Sequence, residues 1–224
     1  MPVLNKTVLM VVTSHDELAP GKPTGLWLEE FAIPWQLFRE AGLKVSIASP
    51  LGGNVPIDPR SIEDEDKVVA WREAENVLLQ TASLDELQLH KFDAIFLPGG
   101  HGAMFDLPEN PVLKALLHSQ IEAGRIVAAV CHGPAALVEV SLSDGRPLVA
   151  GRTLTAFTDA EERAVGLEDA VPFLLEAELR AKGADFVAGE LWASHVEVDD
   201  KLVTGQNPAS SAATAEAVIR LLRD

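Results

Sequence analysis

The chain has 224 residues, 47% hydrophobic and 23% charged, the composition of a globular protein with enough length to bury a sizeable core. Acids outnumber bases 34 to 18, and the formal charge of −16 repels nucleic-acid phosphate and anionic lipid, so neither nucleic acid nor a membrane is an expected partner. The single cysteine excludes an internal disulfide and a cysteine-rich zinc site, which fits a reducing cytoplasm, and no apolar run nears the ~20 residues of a membrane helix.

In chain order, the run from Thr7 to Val12 lacks the small-residue cleavage site of a secretion signal, and residues 7–14 are predicted as a first buried strand. Residues 27–41 read as a helix with Gly42 as its C′ residue, and 44–49 as the next strand. Gly52-Gly53-Asn54, Pro56 and Pro59 mark a loop, and 61–80 is acidic and partly helical. Ser83-Leu84-Asp85-Glu86 has the capping-box pattern of a short helix. A buried strand over 93–97 then runs into Pro98-Gly99-Gly100-His101-Gly102.

Asn110-Pro111 opens a helix whose apolar face is Val112, Leu113, Leu116, Leu117 and Ile121, and Gly124 closes it. Residues 125–130 form an apolar strand leading straight to Cys131, and 133–140 are predicted as helix. Residues 148–157 hold one or two strands broken at Gly151. Residues 169–181 read as a helix with Pro172 in its first turn. Strands at 186–187, 195–198 and 202–203 follow, and Asn207-Pro208 caps a last helix reaching Leu222. There is no internal repeat and no linker, so the expectation is one α/β domain over 1–224: a mostly parallel, flavodoxin-like sheet sandwiched by helices. Ligands of such sheets bind at the carboxyl ends of strands, where Gly99–Gly102 and Cys131-His132 fall.

A buried strand that stops at a cysteine before a small-residue helix is the thiol analogue of a nucleophile elbow. The turn lifts the side chain above the sheet, and the helix N-terminus behind it is expected to lower the thiol pKa. An inert, buried cysteine is the alternative. His132 is the candidate base, against a histidine that only fills space. Gly99, Gly100 and His101 lie in a glycine turn whose backbone N–H groups suit an oxyanion; a phosphate loop is disfavoured, since no Gly-Lys-Ser/Thr follows. Glu29 or Glu30 in the first helix could point inward, as could Glu161 or Glu162 after Phe157-Thr158-Asp159. His15, His90, His101, His118 and His195 show no metal-type spacing, so no obligatory metal is expected.

Through Thr24-Gly25 to Glu30, Pro98 to Gly102, Ala128 to Pro134, Gly145 to Leu148, Phe157-Thr158-Asp159 and Thr204 to Ala209, the chain resembles the ThiJ/PfpI superfamily, with the class I glutamine amidotransferase-like fold. It is most similar to the heat-shock-protein branch that contains glyoxalase III and holdase chaperones. The resemblance implies Cys131 as nucleophile, His132 as its neighbouring histidine, Glu30 as the acid beside the thiol and Glu162 as the acid paired with the histidine, with Glu161 a competitor for that last role. It also implies a homodimer without a cofactor, turning a small-molecule 2-oxoaldehyde such as methylglyoxal into a 2-hydroxy acid without glutathione. A cysteine peptidase or amidohydrolase of the same fold, and a redox-sensing chaperone, are the alternatives.

Overall fold

The computed structural model describes residues 5–87 and 90–223. Seven strands form one sheet: β1 (Thr7–Val11), β2 (Lys44–Ser49), β3 (Ala82–Ser83), β4 (Ala94–Leu97), β5 (Ile126–Val130), β6 (Val196–Asp199) and β7 (Leu202–Gly205). Their spatial order is β6-β7-β5-β4-β1-β2-β3. Every pairing is parallel except β6 with β7, the antiparallel hairpin at one edge. The six long helices are α1 (Leu28–Glu40), α2 (Glu65–Val77), α3 (Pro111–Glu122), α4 (Asp159–Val165), α5 (Leu175–Ala181) and α6 (Ser211–Arg223).

Alternation along the strands builds two cores. Val8, Met10 and Val12 meet Phe31, Trp35 and Phe38 of α1 and Val218 of α6 on one face. Leu9 and Val11 join Leu113, Leu116 and Leu117 of α3 and Leu175 and Leu179 of α5 on the other. The central strands β1, β4 and β5 are buried on both sides, which explains their apolar sequences. Asn110 caps α3 through its side-chain oxygen and Gly42 ends the α1 turn with φ +85°, both as the sequence predicts. Among the described residues, no helix is long and apolar enough to cross a membrane.

Four predicted elements are shorter than expected, the first strand ending at Val11 and not at residue 14. The run after Cys131 is a 3-10 helix over Gly133–Leu137, not a helix to residue 140. Gly133 lies under the Leu97 carbonyl, where a Cβ would come within 2.1 Å of that oxygen, and the chain turns back at once, Leu148 N–H bonding Val140 C=O at 2.7 Å. Residues 169–174 stay outside α5 because Pro172 lacks a donor and restricts Val171. Of 148–157, only Thr153–Leu154 is strand, paired with Asp185–Phe186 apart from the main sheet.

Candidate active site

β5 ends in a tight turn, and Cys131 takes the left-handed conformation with φ +58°. Non-glycine residues rarely sit there, and the turn is fixed from both sides. The Cys131 N–H donates to Gly205 C=O and its own C=O accepts from Phe157 N–H, both at 2.9 Å. The side chain thus stands at the carboxyl end of the sheet, 4% exposed.

Glu30, at the start of α1, is fully buried. Its Oε2 accepts from Gly99 N–H at 2.7 Å. Its Oε1 has no other hydrogen-bond partner among the described residues, and the carboxyl meets the Cys131 thiol. Burial pushes Glu30 up to about 8, against the lowering effect of the thiol and the Gly99 N–H. Burial, then the neighbouring Glu30 charge, also pushes the Cys131 thiol well above its ordinary value. This corrects the expectation of a thiol lowered by a helix terminus: the short 3-10 turn does not offset the loss of water. Glu29 is half-buried, so of the two adjacent acids Glu30 is the one that reaches the thiol.

On the other side of the thiol, His132 Nδ1 lies 3.3 Å from Cys131 Sγ. The strained turn makes that contact between sequence neighbours possible. His132 Nε2 lies 2.7 Å from Glu162 Oε2, and His101 Nε2 lies 2.8 Å from Glu162 Oε1. The network fixes the His101 tautomer. Arg60 Nη2 stands 3.2 Å from His101 Nδ1 and can only donate, so Nδ1 accepts and Nε2 carries the proton toward Glu162. Burial and the adjacent His132 push His101 down to about 4. Burial alone would raise Glu162, but the two histidine hydrogen bonds outweigh it and hold the carboxyl well below the usual range.

Glu161, one residue earlier, has a different job. Its Oε2 accepts from Thr158 N–H and Oγ1, closing a capping box at the start of α4. Its Oε1 accepts from Trp192 N–H, Gln206 Nε2 and Asn207 Nδ2 at 2.9–3.0 Å. The pattern Thr158-Asp159-Ala160-Glu161 is the capping-box signature and could have separated the two acids from sequence alone.

Gly99 and Gly100 do not play equal parts. The Gly99 N–H is committed to Glu30, so it is not a free oxyanion donor. Its missing side chain matters instead: a Cβ would come within 2.5 Å of His132 N and 2.8 Å of Glu30 Oε2. The N–H groups of Gly100 and His132 meet no protein acceptor among the described residues.

A cavity of about 300 Å³ opens above the thiol, lined by Trp27, Arg60, His101, Cys131, His132, Phe157, Val165, Trp192 and Pro208. Arg60 is clamped by Asp58, which also accepts from Thr24 Oγ1 at 2.8 Å. Sequence spacing gave no sign of Arg60, Asp58 or Trp192, which reach the site from separate loops. Nor did it reveal that His101, His132 and Glu162 bring their ligand-type atoms within 4.8 Å of one another. The donor set suits a divalent metal, but a metal on His101 Nε2 would force the ring proton onto Nδ1, against the Arg60 donor. His15, His90, His118 and His195 do not line the cavity.

The sequence profile of the DJ-1/PfpI family matches residues 25–221. The chain is 31% identical to glyoxalase 3 of Candida albicans, across 95% of this chain and 96% of that protein. It is 32% identical to the glutathione-independent glyoxalase hsp3101 of Schizosaccharomyces pombe, across 96% and 95% respectively. The structure of Rapid Encystment Protein 24 kDa from Francisella tularensis superposes with a TM-score of 0.91 at 36% identity, covering 97% of this chain and 99% of the other. The crystal structure of glyoxalase III from Candida albicans superposes with a TM-score of 0.88 at 30% identity, covering 98% of each.

Proposed function

The chain belongs to the DJ-1/PfpI family, and from that premise we propose that it is a glutathione-independent glyoxalase, converting methylglyoxal and water to lactate. The observation that carries this reading is the fully buried Glu30 carboxyl, which meets the Cys131 thiol and whose Oε1 has no other hydrogen-bond partner among the described residues. A hydrolase needs the Cys131–His132–Glu162 chain and no more. A 1,2-proton shift needs a further base against the sulfur-bound carbon, and the contact of Glu30 with the thiol supports Glu30 in that role.

The proposed steps are supported by the distances around the thiol. Cys131 Sγ attacks the aldehyde carbon C1 and its proton passes to His132 Nδ1, 3.3 Å away. The imidazolium so formed is stabilised by the Glu162 carboxylate on Nε2. The C1 oxyanion is taken by the N–H groups of Gly100 and His132. Glu30 then removes the C1 hydrogen as a proton while the His132 imidazolium gives its proton to the C2 oxygen, and Glu30 returns the C1 proton to C2 of the resulting enediolate as the C1 carbonyl forms. C1 is thereby oxidised by two electrons and C2 reduced by two, so no external redox partner is required. Water releases the thioester as the 2-hydroxy acid and restores the thiol.

The test is lactate formation from methylglyoxal in glutathione-free buffer, with Cys131→Ala as the control. Lactate from the wild type and none from Cys131→Ala is expected; no lactate from the wild type overturns the reading. The proposal extends to a single domain over 1–224 acting as a homodimer in the cytoplasm. One sheet gathers strands from both ends of the chain, which supports the first point, and a lone thiol suits a reducing compartment. Light scattering of the purified protein tests the dimer.

A further inference from the structure

Resting on that glyoxalase reading, we propose that the preferred substrates are 2-oxoaldehydes carrying an aromatic substituent, and that Trp192, pinned over the cavity by Glu161, is the residue that selects them. The cavity is lined by two unlike sets of residues. Cys131, His132, His101 and Arg60 make a polar floor suited to the two carbonyl groups. Trp27, Phe157, Val165, Trp192 and Pro208 make an apolar wall, and nothing in the chemistry at C1 and C2 needs it. The chain has four tryptophans, and two of them stand in this wall.

A methyl substituent leaves most of that wall facing water. A phenyl ring bonded to C2 would instead lie against the aromatic surface of Phe157 and Trp192, which already contact each other with ring centroids 5.9 Å apart at 57°. Phe157 is itself anchored against His132, at 4.5 Å between centroids, so the substituent site is rigidly tied to the reacting centre.

Trp192 is held in an unfavourable place. It is 48% exposed and has φ +64°, a conformation bulky residues avoid. Its backbone N–H donates to Glu161 Oε1 at 3.0 Å, and the same oxygen binds Gln206 and Asn207, which belong to the turn after β7. Asn207 Nδ2 also donates to Ala193 C=O at 2.9 Å, and Gln206 Nε2 donates to Glu190 C=O at 3.3 Å. Glu161 is therefore a positioning residue. Strain of this kind persists where the surroundings over-determine it, and here the result is an aromatic ring placed over the cavity mouth.

The experiment compares initial rates for phenylglyoxal, giving mandelate, with those for methylglyoxal, giving lactate, before the slower arginine modification that phenylglyoxal also causes. The variants are Trp192→Ala, Trp192→Phe and Glu161→Gln, each checked for folding by circular dichroism. The wild type is expected to favour phenylglyoxal by about tenfold or more in kcat/KM. Trp192→Ala should bring the ratio near one, Trp192→Phe should keep most of it, and Glu161→Gln should lower it through the KM for phenylglyoxal more than through kcat. Turnover of methylglyoxal with equal or better efficiency than phenylglyoxal overturns the inference and leaves the glyoxalase reading standing. A preference that survives Trp192→Ala overturns the role of Trp192. Failure of both substrates to yield a hydroxy acid overturns the two readings together.

Discussion

Cys131 and Glu30 share a dry compartment in which each resists taking a negative charge: burial raises both, and the Glu30 charge raises the thiol further, while the hydrogen bond from the thiol offsets only part of the burial effect on Glu30. At pH 7 Glu30 therefore holds its proton, and the form that can act as base appears as pH rises through about 8. We expect kcat/KM to climb with pH to a plateau above about 8, and Glu30→Gln to lose both this limb and most of its turnover while still being alkylated at Cys131. A wild-type profile flat between pH 6 and 9 would remove Glu30 from the proton shift. At the same scale, Gly99→Ala should fail even though no side chain is lost. The new methyl would press on His132 N and Glu30 Oε2, separating the proposed oxyanion donor from the base, and a fall in kcat of at least about a hundredfold is expected.

The elements explain why part of this site could be read from the sequence and part could not. Local grammar sufficed for α1 and α3, for the strand Lys44–Ser49, and for the turn at Cys131, because each rests on period, caps and glycine placed within a few residues. It failed for residues 169–174, where helical periodicity runs into the constraint of Pro172, and for the 3-10 turn after Cys131, whose length is set by the Leu97 carbonyl from another strand. Arg60, His101 and Trp192 meet only through the sheet, from segments with no common pattern. Adjacent acids on α4 point about 100° apart, and this divides their effects. Glu162→Gln should lower kcat about 10²–10⁴-fold with a small loss of stability, since it removes the charge that supports a protonated His132. Glu161→Gln should instead lower the melting temperature, because a buried carboxylate that accepts five hydrogen bonds is lost, on the order of 3 kcal/mol. Equal effects of the two variants on kcat and on melting would contradict the division.

At the scale of the whole molecule, the site's titrations bend the stability curve from both ends. The native state keeps a proton on Glu30 that the unfolded chain releases near 4.5, so that contribution is complete below pH 4.5 and is lost as pH rises through about 8. His101 runs the other way. Its folded value of about 4 lies below the unfolded 6.5, so its contribution is present above pH 6.5 and is lost as pH falls toward 4. Melting temperatures measured from pH 4 to 9 should show Glu30→Gln gaining on the wild type as pH rises from 4.5 to 8; parallel curves would mean the carboxyl is not held neutral by the fold. The α4 turn also bears on how such a protein can diverge. Because Glu162 bonds the proposed base His132 and Glu161 bonds the loop that carries Trp192, substitutions at 190–193 would retune what fits the cavity without touching the proposed chemistry. A duplicated copy of this chain could then drift to new aldehydes along a path on which every step keeps its chemistry, the two properties being inherited through neighbouring but separable side chains.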